Sequence, residues 1–266
     1  MRHPWFLAFA LIAALPAQAA DTALDQAVGG PQRSAAFTAR DIYRHPVAEL
    51  EFFGIKPNDT VVEIWPSTGY WTEILAPYLH DKGNFFVAGL PSGTGKEGIE
   101  KARAALKAKL DADPKAYGKV TVTEFGKDHY DIAPPGSADM VVTFRNLHNW
   151  MAQEFPDQAM ASFFKALKPG GVLGIEDHRA PDSIPQDPKA ANGYVRQDYT
   201  IELAKKAGFE FIGASEINAN AKDTKDWPKG VWTLPPTYAL GDQDHDKYAA
   251  IGEADNYVLK FRKPAS

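Results

Sequence analysis

Between Thr60 and Glu176 short apolar runs alternate with amphipathic ones, and this alternation restricts the fold more than any other feature of the chain. Thr60–Ile64, Phe85–Ala88, Lys119–Phe125, Asp139–Phe144 and Val172–Glu176 have the length and the β-branched or aromatic content of strands. The segments between them include helical patterns. One spans about Tyr70–Leu79. A second, about Glu97–Leu110, places Ile99, Ala102, Leu106 and Leu110 on one face, and a third, about Pro156–Leu167, does the same with Met160, Phe163, Phe164 and Leu167. Strand and helix in alternation predict an α/β fold, with a mostly parallel sheet covered on both faces.

Farther along, a helix about Tyr194–Ala207 is stopped by Gly208 and leads to a sixth strand, Phe209–Ala214. Asn256–Phe261 is the last strand. No helix stands between these two, so an antiparallel pair is expected. Arg179–Ala191 is too rich in Pro and Asp for a core. Residues 216–250 form a long polar stretch with Pro and Trp, a length usually reserved for functional or disordered loops.

The start reads differently. Met1-Arg2-His3 is a short positive lead, Trp5–Leu15 is an apolar run and Ala17-Gln18-Ala19 is a small-x-small cleavage site, the pattern of a secretory signal peptide over 1–19. A buried N-terminal helix is the alternative. Cleavage after Ala19 would remove Arg2 and no acid, taking the net charge from −5 to −6. Residues 20–45 then read as a loose arm and lead-in, and 46–266 as one α/β domain, with Pro46 in the first turn of its first helix. The 266-residue chain has no cysteine, which excludes disulfides, thiolate nucleophiles and thiolate metal sites, and leaves no thiol to lipidate. Its acidic balance and dispersed lysines and arginines give no footprint for nucleic acid. The expected setting is periplasmic or secreted, without a membrane anchor after cleavage.

A strand–turn–helix at the head of such a sheet is where phosphate and nucleotide cradles form. Here the turn is Trp65-Pro66-Ser67-Thr68-Gly69, with one glycine and a tryptophan where bare backbone is usual.

The stretch "LKPGGVLGIED" (167–177) resembles the helix-to-strand turn of class I S-adenosylmethionine-dependent methyltransferases, and the strand pattern of about 50–262 is similar to theirs. "RDIYRHP" (40–46), "EFFGIKPNDTVVEIWPSTGYWTEILAPYL" (51–79), "RNLHNW" (145–150), "IEDHR" (175–179) and "IGEADNYVLKFRKP" (251–264) resemble a group of exported proteins predicted to be methyltransferases. The resemblance implies a Rossmann-like seven-stranded fold with an antiparallel last strand, S-adenosyl-L-methionine as cofactor and a small-molecule acceptor.

By that resemblance Glu63 orients the amino-acid end of the cofactor, and Trp65, Ser67, Thr68 and Gly69 form the loop beneath it, with backbone N–H groups offered to its carboxylate. The plainer reading is that Glu63 caps the loop and Trp65 fills a gap in the core. After the second strand, where the family usually carries a ribose-binding acid, the chain reads Gly89-Leu90-Pro91. Glu124 or Asp128 would meet the adenine amino group, or else be surface acids. Arg145 and Asn146, after the fourth strand, complete the cofactor-binding set.

His148, Glu176 and His178 should converge at the mouth of the sheet. His148 suits a general base near neutral pH. The three together suit a catalytic cluster, a divalent metal site or a hydrogen-bonded lining of the acceptor pocket. Arg40, Asp41 and Arg44 would clamp a carboxylate, close the acceptor pocket or serve as surface charge. Beside the methyltransferase reading stand a small-ligand binding protein on the same scaffold and a metal-dependent enzyme.

Overall fold

A computed structural model describes residues 21–265, so the signal peptide expected at 1–19 lies outside the described residues. From the start of the described chain run α1 (Thr22–Val28), α2 (Ala35–Thr38), α3 (Asp41–Arg44) and α4 (Pro46–Phe53). Then come β1 (Thr60–Ile64), α5 (Thr72–Leu79), β2 (Asn84–Gly89), α6 (Glu97–Ala112), α7 (Pro114–Tyr117) and β3 (Val120–Glu124). β4 (Ala138–Phe144), α8 (Leu147–Ala152), α9 (Pro156–Ala166), β5 (Leu167–His178), α10 (Gln197–Lys206) and β6 (Glu210–Ser215) follow. β7 (Pro228–Val231), α11 (His245–Ile251) and β8 (Asn256–Arg262) end the series.

Seven strands make one sheet in the order β3-β2-β1-β4-β5-β8-β6. β1 pairs in parallel with β2 and β4, β2 with β3, and β4 with β5. β8 runs antiparallel to both β5 and β6, the expected orientation, although a helix not foreseen from the sequence, α11, stands between β6 and β8.

Strand alternation sends neighbouring residues to opposite faces. Val61, Val87, Met140 and Val142 pack with α1, α4 and α5 through Leu24, Phe53, Ile74 and Leu75. Val62, Val141, Leu173 and Ile175 pack with α8, α9 and α10 through Trp150, Met160, Phe163 and Leu203. Each such side chain, fully buried, contributes roughly 1.5–3 kcal/mol. At the turn into β5, Leu167 pairs with Ala138 and Val172 with Met140, so 168–171 leave the ladder. Gly170 takes φ 81 there, where a side chain would strain the backbone.

Two expectations change. The supposed loose arm contains α1, whose N-cap Asp21 accepts from Ala23 N and Leu24 N at 3.0 and 3.3 Å and whose Leu24 is fully buried. Arg33 bonds Asp41 at 2.8 Å, and Gln32 donates to the Glu73 carbonyl at 3.0 Å, so this segment is fastened to α5. The long segment after β6 is an ordered lobe with its own core of Tyr194, Val231, Leu234, Tyr248 and Ala254. Asp223 ties it down, accepting from Tyr194 Oη at 3.0 Å, Trp227 Nε1 at 2.7 Å and Asp255 N at 2.9 Å.

Candidate active site

Strand order reverses between β1 and β4, and a cavity of about 360 Å³ opens beside their C-terminal ends. β1 and its turn supply Glu63, Ser67 and Thr68 to its wall, the turn after β4 supplies Arg145, Asn146 and His148, and β5 ends in it with His178. α3 adds Arg44, and Arg40 stands at its N-terminal cap. The lobe after β6 roofs it with residues between Val231 and Thr237.

The β1 turn is held in an unusual backbone shape, with φ of 46 at Trp65, 55 at Ser67 and 88 at Gly69. The left-handed region costs non-glycine residues of order 1–3 kcal/mol, so neighbouring contacts must enforce it. They do. Trp65 N donates to the Ala88 carbonyl at 2.9 Å, its indole Nε1 donates to the Phe125 carbonyl at 2.7 Å, and Asn146 Nδ2 donates to the Ile64 carbonyl at 3.0 Å. The indole lies edge-on to Trp150 and Phe155, among the aromatic side chains of the α8–α9 face. It therefore leaves the Ser67 and Thr68 amides open: both residues are exposed, and neither amide donates to an acceptor among the described residues. The Gly69 amide, expected to join them, instead donates to the Pro66 carbonyl at 2.8 Å.

Glu63 sits directly below. It is buried and accepts from Thr72 Oγ1 at 2.6 Å. Burial pushes its carboxyl up to about 8, against the opposing pull of the Thr72 bond and of Lys109. An arriving cation would reverse that shift by pairing with the carboxylate.

His148 and His178 do converge, with ring centroids 5.3 Å apart. Their carboxylate partner is Asp177, not Glu176. His148 Nδ1 lies 2.9 Å from Asp177 Oδ1, and His148 N donates to Oδ2 at 3.2 Å. Burial alone would raise the Asp177 carboxyl, but the contacts with His148 and His178 outweigh it and hold it below the usual range. As an ionised acceptor Asp177 accepts a hydrogen bond from Nδ1–H, which in the neutral ring makes Nε2 the nitrogen with the lone pair. His178 Nδ1 faces Asn256 Oδ1 at 2.7 Å, and burial lowers its ring to about 3, so its ring is neutral. Ligand atoms of His148, Asp177 and His178 fall within 4.8 Å of one another. Asp177 is nonetheless committed to orienting its neighbours, since Oδ1 also accepts His178 N at 2.7 Å.

Glu176 points to the opposite face of β5, as alternation demands. There it accepts from Asn218 Nδ2 and Asn256 Nδ2, both at 3.0 Å, with Arg145 Nε 3.8 Å away. Burial raises it to about 7 despite Arg145. Glu176 is thus a supporting group beneath the site, and Asn256 links it to His178.

Sequence reasoning found no role for Glu253, which proves central. It receives Arg40 Nε at 2.5 Å, Arg44 Nε at 3.0 Å and Arg145 Nη1 at 2.7 Å. Arg145 itself is held at φ 61, its N–H donating to the Glu176 carbonyl at 2.7 Å.

Glu124 and Asp128 are not on the cavity wall. Glu124 accepts from Ser92 N at 3.1 Å and pairs with Arg103 at 3.1 Å, while Asp128 is exposed in the turn after β3. A second, larger concavity of about 910 Å³ runs past Gly89 and Leu90 between β3 and α6. It shares Trp65, Pro66, Ser67, Thr68 and Asn146 with the first, so the two meet at the β1 turn.

No protein-family model and no curated protein matches the sequence. Solved structures match the fold. A SAM-dependent methyltransferase from Aquifex aeolicus aligns with TM-score 0.57 at 13% identity, over 84% of this chain and 92% of that one. The cyclase SpnF aligns with TM-score 0.58 at 15% identity, over 92% of each chain. Phosphoethanolamine N-methyltransferase 2 of Haemonchus contortus, in complex with S-adenosyl-L-methionine, aligns with TM-score 0.56 at 16% identity, over 91% of this chain and 60% of that one. The chain has the Rossmann-like fold of the S-adenosylmethionine-dependent methyltransferases, with six strands in one direction and β8 against them.

Proposed function

We propose that this protein transfers a methyl group from S-adenosyl-L-methionine to a small-molecule acceptor. One observation carries the reading: two free backbone amides, Ser67 and Thr68, stand over a buried carboxyl, Glu63, on the same cavity that His148 enters. That pairing matches the amino-acid end of the cofactor, with the amides for its carboxylate and Glu63 for its ammonium group. The flat nucleoside end has room in the adjoining concavity past Gly89 and Leu90, although no carboxylate directly follows β2 to meet the ribose.

When bound, the cofactor supplies an electrophilic methyl group on a sulfonium. The protein's own contributions are alignment and proton handling. Asp177 holds His148 in the tautomer whose Nε2 can accept a proton from an acceptor hydroxyl or amine. Trp232, its ring 6.0 Å from that of His148, forms the roof on that side. A metal-dependent reaction is the weaker reading, because Asp177 already accepts from both histidines.

Calorimetric titration with S-adenosyl-L-methionine and with S-adenosylhomocysteine tests the proposal. Both should bind, and Glu63→Ala should abolish binding of both. Absence of binding by the wild-type protein would leave a ligand-binding scaffold without transfer.

The proposal extends to location: the leader read at 1–19 places the protein outside the cytoplasm, where the cofactor must reach it. Sequencing the N-terminus of the protein recovered from its native cell checks this, with Ala20 expected first; an intact Met1 would oppose it.

A further inference from the structure

Resting on the methyltransferase reading, we propose that the acceptor is anionic, with a carboxylate or phosphate group seated between Arg40, Arg44 and Arg145. All three guanidinium groups stand on the cavity wall, and they converge on a single carboxylate, Glu253. Each spends one nitrogen on it: Nε of Arg40, Nε of Arg44 and Nη1 of Arg145.

The remaining donors are the telling feature. The Arg44 side chain is only 3% exposed, yet neither of its Nη groups donates to an acceptor among the described residues. Its Cζ rests 4.4 Å from the centre of the Tyr70 ring, which fixes the plane of the fork. Arg40 likewise has both Nη groups free, and Arg145 has Nη2 free. These donors are open to the cavity, and the planar fork of a guanidinium matches an oxyanion in two-point contact.

The other acids close by do not fill this role. Glu176 is 3.8 Å from Arg145 Nε and is already engaged by Asn218 and Asn256. Asp41 is taken by Arg33 and Tyr70. Glu63 lies across the cavity with Thr72. An acceptor whose anionic group meets the arginines would lie within the same cavity as His148 Nε2 and the Trp232 ring, so its protic atom can face the base while its body lies under the roof.

The test uses the whole mature chain and three probes of similar shape: benzoate, phenyl phosphate and neutral benzamide. In calorimetry without any methyl donor, benzoate or phenyl phosphate should bind about tenfold or more tightly than benzamide, and added salt should weaken it. Whichever anion binds better identifies the oxyanion. Arg44→Gln should lose this preference, and Glu253 would keep Arg40 and Arg145 as partners in that variant. Arg40→Gln, at a more exposed position, provides the same readout if Arg44→Gln does not fold.

Equal binding of all three probes, or none, overturns the proposal. So does strict competition between the anion and S-adenosylhomocysteine, which would assign the arginines to the cofactor's own carboxylate. Failure of S-adenosylhomocysteine to bind while benzoate does would instead overturn the methyltransferase reading and leave the anion site standing.

Discussion

His148 and Asp177 meet through two points, the His148 N–H on one carboxylate oxygen and Nδ1 on the other. The backbone bond fixes the carboxylate against the start of α8, and the ring bond then fixes the orientation of the imidazole. Replacing His148 by Ala should lower the methyl-transfer rate by roughly 10²–10⁴-fold. Asp177→Asn should reduce kcat with little change in KM, because it disturbs the orientation of the base and not the walls of the pocket. Steady-state kinetics on the two variants separates these effects.

Glu63 gives the protein a pH signature. Its folded value of about 8 exceeds the ordinary 4.5, so the stability that it contributes is complete below pH 4.5 and is lost as pH rises through 8. Glu176, raised to about 7, acts in the same direction. His178, lowered from 6.5 to about 3, acts oppositely, but its effect is complete above pH 6.5. Between pH 6.5 and 8 only the carboxyl effects remain, and wild-type stability should fall across that window. Urea denaturation of Glu63→Gln should show a shallower fall, whereas unchanged slopes would refute the assignment.

The same group couples ligand binding to protons. At neutral pH Glu63 is protonated before binding, and pairing with an ammonium group ionises it. Cofactor binding should therefore release a proton and tighten as pH rises towards 8. Calorimetry in buffers of different ionisation enthalpy measures that release directly.

Trp65 braces the β1 turn through its indole N–H and its aromatic neighbours. Trp65→Phe deletes the bond to the Phe125 carbonyl and part of the ring, which should cost roughly 1–3 kcal/mol. Because Trp65 stands where the two concavities meet, the smaller ring should also widen the passage and tighten nucleoside binding. Chemical denaturation and adenosine titration give the two readouts.

Gly252 precedes Glu253 at φ 89, and an added Cβ would come within 2.5 Å of the Tyr43 ring. Gly252→Ala should destabilise the protein by roughly 2–4 kcal/mol and push Glu253 off the three arginines. Thermal denaturation measures the first effect.

The sheet was readable because its signals are local: β1 was bounded from Thr60 to Ile64 by apolar content and turns alone. α1 was missed because its polar sequence gains its stability from packing on α5, a contact made with residues nearly fifty positions away. Glu63, Ser67, Thr68, Asn146, His148 and His178 were expected at the mouth of the sheet because each lies at or just beyond the C-terminal end of a strand, and all six line the cavity. Glu176 was placed with the histidines because it shares a strand face with His178, two residues on; Asp177 points to the other face, where α8 brings His148, and that packing carries no local signal. Glu253 carried no local signal, since its partners are 108–213 positions away in sequence and only the finished fold unites them.

β8 is the last strand of this sequence, yet it occupies an interior position between β5 and β6. During synthesis, a chain released up to that point would display two bare strand edges, each inviting foreign partners. Asn256, which steadies His178, arrives with β8, and Glu253, which gathers the arginines, arrives just ahead of it. The pocket is therefore complete only once the last stretch of the sequence has been made, and a polypeptide stopped short of these residues would lack both the strand that seals the sheet and the carboxylate that gathers the arginines.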